Sequence, residues 1–200
     1  MSDPLEGFRG FIEELKASSE LDPAEIADIE NFLVEKLAEE PADEKPQAEP
    51  VVVEEVAEVM EERHLDIRTR IGHMPLSERI KTAMFGDRTC RALLVSDPNR
   101  LVNQAVLKNP KIALPEIEDF AGNKNISDGI LRTIAEKDAW TQSYKVRLGL
   151  VTNPRTPIAI SLKWLRYLQM GDVKKLARSK NVPQVIVTGA RKRLDEDKKH

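Results

Sequence analysis

Val95-Ser96-Asp97-Pro98-Asn99-Arg100-Leu101-Val102-Asn103-Gln104-Ala105-Val106-Leu107-Lys108-Asn109-Pro110 is the stretch that decides the fold, because it has a second edition further along the chain. Lys145-Val146-Arg147-Leu148-Gly149-Leu150-Val151-Thr152-Asn153-Pro154-Arg155-Thr156-Pro157 aligns with it when Asn109 is set on Asn153, 44 residues on. Val102 then meets Val146, Ala105 meets Gly149, Val106 meets Leu150 and Leu107 meets Val151. A proline follows each asparagine, and a second comes soon after, at Pro115 and Pro157. Self-similarity at a fixed period is the signature of a repeat architecture. The period of 44 resolves into units of about 22, with Asn125-Ile126-Ser127 and Ile130, Leu131, Ile134 and Ala135 forming the middle one, and an insertion of about three over 138–145.

Each unit has a start, a stripe and a stop. Asp97, Ser127 and Thr156 stand where a cap accepts hydrogen bonds from free helix amides, and Pro98 and Pro157 suit a first turn. Asn109 and Asn153 fall where a helix ends, and the prolines after them cannot continue it. A third stop comes at Asn181-Val182-Pro183. One apolar stripe per unit cannot bury itself, so the units are expected to stack as an α-solenoid.

Working outward, residues 4–39 predict a helical hairpin. Leu5, Phe8, Phe11, Ile12 and Leu15 share one helical face, and Ile26, Ile29, Leu33 and Leu37 another. Between them, Asp22-Pro23-Ala24-Glu25 is a helix start with a capping box. Such a hairpin either packs on its own body or serves as a dimerisation or docking module. Residues 40–50 carry three prolines and four acids and read as a linker. Residues 51–64 follow as an acidic amphipathic helix, with Val52, Val56 and Val59 on one face and Glu54, Glu55, Glu58, Glu61 and Glu62 elsewhere. The expected organisation is therefore a hairpin over 1–39, an acidic segment over 40–62 and a basic repeat domain over 63–200.

The net charge of -3 conceals a division. Residues 1–62 hold 4 basic and 20 acidic side chains, whereas 63–193 hold 25 basic and 11 acidic. A field of that sign attracts anions and speeds their encounter. The candidate partner-binding residues are Arg100, Asn103 and Lys108 on one helix, Lys145, Arg147 and Arg155 on its counterpart, and Lys174, Lys175 and Arg178 on the next.

Chemistry is hard to find. His64 and His73 are nine apart and His200 is terminal, so with the single Cys90 no zinc site has enough ligands, and no metal or cofactor is expected. Cys90 reads as a small buried thiol. The scattered glycines form no phosphate-cradling loop. Asp138, Trp140, Arg147 and Trp164 include the residue types that HEAT-repeat DNA glycosylases use, but their spacing matches no motif, and the tryptophans read as packing residues. No apolar run approaches the ~18 residues of a membrane span. The first residues lack the features of a secretory signal, so the expectation is a cytoplasmic protein.

The two quoted strings resemble the leucine-rich repeat variant pattern, in which a DP precedes a V-x-x-A-V helix and an NP-x-x-P segment follows. The stretch 75–194 is also similar to helical-repeat proteins of bacteria in which a related segment follows a variable acidic leader. The resemblance implies an all-α fold, a short right-handed α-solenoid of stacked helix pairs related to HEAT and armadillo arrays, and is nearly silent on activity. Some variant-repeat proteins carry an iron–sulfur cluster on clustered cysteines, which one cysteine cannot hold. The expected function is a non-enzymatic scaffold whose basic surface binds an acidic protein segment, with its own acidic leader as an internal competitor. A nucleic acid contacted through its phosphates is the alternative. Sparse aromatics, at 4% of residues, and the attached acidic leader argue against it.

Overall fold

The computed structural model describes residues 5–38 and 67–197. The regular structure among these residues is all helical, and no strand occurs among them. The linker and acidic helix read over 40–62 lie outside the described residues. The chain divides into two compact units, Met1–Lys111 and Ile112–His200.

The first unit holds α1 (Arg9–Ala17), α2 (Pro23–Ala38), α3 (67–73), α4 (Leu76–Phe85), α5 (Arg88–Leu94) and α6 (Arg100–Val106). The capping box expected at the start of α2 is present: the Glu25 amide donates to Asp22 Oδ1 at 2.7 Å, and the Asp22 amide donates to Glu25 Oε2 at 3.0 Å. Phe11, Ile12 and Leu15 of α1 and Ile26, Ile29 and Leu33 of α2 are buried. Their cover comes from the same unit, because α2 packs on α4. Phe32 meets the Phe85 ring edge-on at 5.5 Å, and Lys81 pairs with Asp28. Each fully buried aliphatic side chain contributes about 1.5–3 kcal/mol, so the hairpin is an integral part of this core.

The second unit holds α7 (Leu114–Gly122), α8 (Asp128–Glu136), α9 (Asp138–Thr141), α10 (Tyr144–Thr152), α11 (Ile158–Leu165), α12 (Met170–Leu176) and α13 (Gln184–Asp197). α10 lies against α7 and α11, and α13 against α11 and α12. Ile117, Phe120, Ile130, Leu131, Ile134, Val146 and Leu150 are buried here. A further cluster joins Val151, Leu165, Leu168, Val173, Leu176, Ile186 and Ala190. The short α9 occupies the place where the sequence alignment requires an insertion.

Within each unit the aligned positions behave alike. Val102 and Val106 are fully buried, as are Val146 and Leu150. α6 packs on α4 as α10 packs on α7. Asn109 and Asn153, each 2% exposed, turn their amides onto the end of that packed helix. Asn109 Nδ2 donates to the carbonyls of Ala83 and Gly86 at 3.2 Å each, and Asn153 Nδ2 donates to those of Ala121 and Asn123 at 3.0 and 2.9 Å. The Oδ1 of each accepts from the amide two residues on, Lys111 or Arg155. A helix end leaves carbonyls without intrahelical partners, and these amides satisfy them where water has no access.

None of the three expected caps acts as one: Ser127 stands at the start of α8 but its side chain accepts no cap hydrogen bond, and two helices start later than expected. α6 begins at Arg100 and is capped by Asn99, whose side chain accepts from the Leu101 amide at 2.8 Å. Asp97 instead accepts from the Asn99 amide at 2.8 Å and pairs with Arg79 at 2.7 Å. α11 begins after Pro157, and the Thr156 hydroxyl is buried without a hydrogen-bond partner. The proline-rich spacers let the chain turn once more before the helix takes hold. The third stop also departs: Asn181 is exposed. Around it the carbonyls of Leu165, the last residue of α11, and of Leu168 accept from the Arg193 guanidinium, and that of Ala177, just after α12, accepts from Arg191 Nε at 3.1 Å.

Candidate interaction surface

Basic residues concentrate toward the end of the second unit. Residues 139–193 carry 12 Lys or Arg and one acid, Asp172. Amphipathic helices place most of these cations outward. Lys163 and Lys174 on α11 and α12, and Arg155, Arg166, Arg178 and Lys180 in the turns that follow α10, α11 and α12, are exposed, while Val146, Leu165 and Val173 on those helices are buried.

The nine residues selected from sequence fall into both units and do not all remain available. Arg100, Asn103 and Lys108 belong to the first. Arg100 is exposed but pairs with Glu14 of α1. Asn103 is a correction: it is 4% exposed, and its Nδ2 donates to the Asp97 carbonyl at 3.1 Å. It lies one turn along from Asn99 on the buried side of α6, where it holds the entry turn and presents nothing to a partner. Lys108 is half-buried. In the second unit Lys145 is exposed and lies 3.4 Å from Glu118. Arg147 is half-buried, with its guanidinium 5.9 Å from the Tyr144 ring centre. Arg155, Lys174 and Arg178 are exposed, and no carboxylate among the described residues pairs with them. Lys175 pairs with Asp172 at 2.9 Å.

Asp172 is well tied down. It accepts from the Tyr144 hydroxyl at 2.6 Å as well as from Lys175, and the same hydroxyl accepts from the Gln169 amide at 3.1 Å. The Tyr144 bond, reinforced by Lys175, lowers the carboxyl below its usual range, and Asp172 in turn raises Lys175. Glu118 is likewise lowered, chiefly by the Ser143 hydroxyl at 2.7 Å and then by Lys145. Both acids are therefore committed inside the unit.

Beside this network lies a cleft of about 420 Å³, with Leu148, Leu176 and Val182 among its apolar walls and Lys124 and Lys175 among its charged ones. α11 makes a second concave area. Of its larger aliphatic residues, Leu165 is buried, Leu162 is half-buried and Ile158 is exposed. The inward side is completed by Ser161, whose hydroxyl donates to the Leu150 carbonyl at 3.2 Å. Turning the helix in this way places Ala159, Leu162, Lys163 and Arg166 on one outward face, at i, i+3, i+4 and i+7.

No protein-family model, curated protein or solved structure matches the chain. Among the described residues, no three His, Cys, Asp or Glu side chains are grouped to hold a metal, and no helix is long and apolar enough to cross a membrane. Cys90 is half-buried rather than fully buried. Its desolvation and the neighbouring Asp87 push the thiol up to about 11, so it is a protonated thiol at neutral pH and a poor nucleophile.

Proposed function

We propose that this chain is a non-enzymatic interaction scaffold of the variant-repeat class. Its helix pairs stack as a short right-handed α-solenoid, and the basic face of the second unit binds an acidic protein segment. The observation that carries the reading is the 12-to-1 excess of cations over 139–193, with Arg155, Lys163, Arg166, Lys174 and Arg178 exposed and free of carboxylates among the described residues. The repeated asparagine clamps support the stacking, because they tie each later helix to the end of the one it packs against. A cleft with apolar walls and charged lysines favours a polypeptide over a phosphate backbone, since a peptide offers apolar side chains as well as carboxylates. The acidic leader over 39–62 is the internal competitor, held at high effective concentration by its covalent attachment.

The experiment is anisotropy titration of the full chain against a fluorescent glutamate-rich 12-residue peptide and against a DNA duplex of equal charge, at low and physiological salt. Saturable peptide binding, weakened by Lys174→Glu with Arg178→Glu, is expected. Tighter duplex binding with a steep salt slope replaces the reading with a nucleic-acid one.

A further inference from the structure

On the acidic-partner reading above, we infer that the outward face of α11 is the anchoring subsite, and that it takes an acidic peptide segment carrying a bulky apolar side chain between two carboxylates. The face combines apolar surface with cations that no carboxylate among the described residues pairs. Ala159, Leu162 and Tyr167 supply apolar surface, and Lys163 and Arg166 supply charge, around a concavity of about 350 Å³.

Tyr167 is the side chain that most needs an explanation. It is 59% exposed, more than any other large hydrophobic residue described as exposed. Its ring lies 5.6 Å from that of Trp164, which packs against the core beneath. A rigid, exposed aromatic contributes contact area at little entropic cost, which is why such residues recur at interface hot spots. Lys163 is placed with equal definition, its ammonium 4.8 Å from the Trp164 ring centre. No carboxylate among the described residues pairs with Lys163 or Arg166, whereas Lys145 and Lys175 are already matched by Glu118 and Asp172. Two uncompensated cations, Lys163 and Arg166, therefore line this concavity.

The occupant follows from complementarity. A purely acidic chain leaves Leu162 and Tyr167 wet, and an apolar one leaves the field of twelve cations unused. A peptide with Leu or Phe flanked by Glu satisfies both, with the apolar side chain against Leu162 and Tyr167 and the carboxylates at Lys163 and Arg166.

The test compares two fluorescent 12-residue peptides on the full chain, Glu-rich with a central Leu and the same with a central Ser. The Leu peptide is expected to bind roughly tenfold tighter, the effect of burying one aliphatic side chain. Tyr167→Ser should abolish most of that difference while leaving the Ser peptide unchanged. Lys163→Glu with Arg166→Glu should weaken the Leu peptide several-fold more than Lys174→Glu with Arg178→Glu does. Equal affinity of the two peptides, or equal effects of the two charge reversals, overturns the α11 subsite and leaves the scaffold reading standing. Binding of neither peptide, with the duplex retained, overturns that reading as well. The peptide pair needs no altered protein, so a poorly folding variant does not rescue the inference.

Discussion

Asn109 and Asn153 hold the same post in their respective units. Each side chain is buried, each amide spans two carbonyls at the C-terminal end of the helix packed alongside, and each Oδ1 takes the backbone amide two residues on. One residue thus closes a loop and ties two helices together, using its donor and acceptor at once. Aspartate lacks the donor, and leucine lacks both groups.

Replacing either asparagine strands buried carbonyls, a cost of about 1–3 kcal/mol per buried group left without a partner. Asn109→Leu and Asn153→Leu should each lower stability by about 2–4 kcal/mol on that scale. Pro154→Ala, at an exposed position, should cost far less. Urea titration followed by circular dichroism measures all three. A midpoint for Asn153→Leu equal to that of the parent would refute the clamp.

Two glycines predict opposite outcomes from the same substitution. A Cβ on Gly149 of α10 would sit 3.0 Å from the Ala121 Cβ and 3.1 Å from the Ala121 carbonyl carbon, so the backbone of α7 would have to move. A Cβ on Gly189 of α13 would meet only the Leu165 and Leu162 methyl ends, at 3.1 and 3.2 Å, and those rotate aside. Alanine in a helix interior gains about 1 kcal/mol over glycine, whereas overpacking costs about 1–3 kcal/mol. Gly149→Ala should therefore lower the thermal midpoint, and Gly189→Ala should leave it unchanged or raise it. Calorimetry of the two variants side by side decides the matter.

Much of this architecture was legible before any coordinates. Val102, Val106, Val146 and Leu150 are buried because a 3.6-residue period with a terminal Asn-Pro leaves them no other place. Asp22 and Glu25 announced their capping box because the interaction is local. What escaped was decided by tertiary partners. Asn103 looks outward on a helical wheel, yet its own entry turn draws it in. Thr156 has the chemistry of a cap, but α11 begins later, after Pro157. The roles of Arg191 and Arg193 depend on carbonyls between 14 and 28 residues away, which no local pattern displays. The outward face of α11 was hidden by a single ambiguity, whether Leu162 belongs with Leu165 or with Ala159.

The two committed acids predict a pH dependence. Asp172 and Glu118 both have folded-state values below their ordinary ones, the first through the Tyr144 hydroxyl and then Lys175, the second chiefly through the Ser143 hydroxyl. A depressed folded value means that the unfolded chain binds the proton more readily. The stabilisation is complete above the ordinary carboxylate range and is lost as pH falls through it toward the folded values. Urea midpoints measured from pH 7 down to pH 3 should fall less steeply for Asp172→Asn than for the parent. Tyr144→Phe should reproduce part of that flattening, because it removes the main donor but leaves Lys175 in place.

Neutralising the leader, with Glu54, Glu55, Glu58, Glu61 and Glu62 changed to Gln, should tighten the full chain's affinity for a glutamate-rich peptide. The alternative of cutting away residues 1–62 confounds two effects. α2 packs on α4, and Ile29 and Leu33 are completely buried, so truncation would uncover the first unit's core as well as remove the leader's charge. Five isosteric substitutions leave α1 and α2 in place and remove five of the 20 negative charges in residues 1–62. If the leader competes for the cationic face, the gain in affinity is largest at low salt and shrinks once the Debye length falls to about 8 Å at physiological ionic strength. A gain independent of salt would mean that the substitutions act through something other than charge. No gain at any salt would mean that the leader does not occupy the face that receives the peptide.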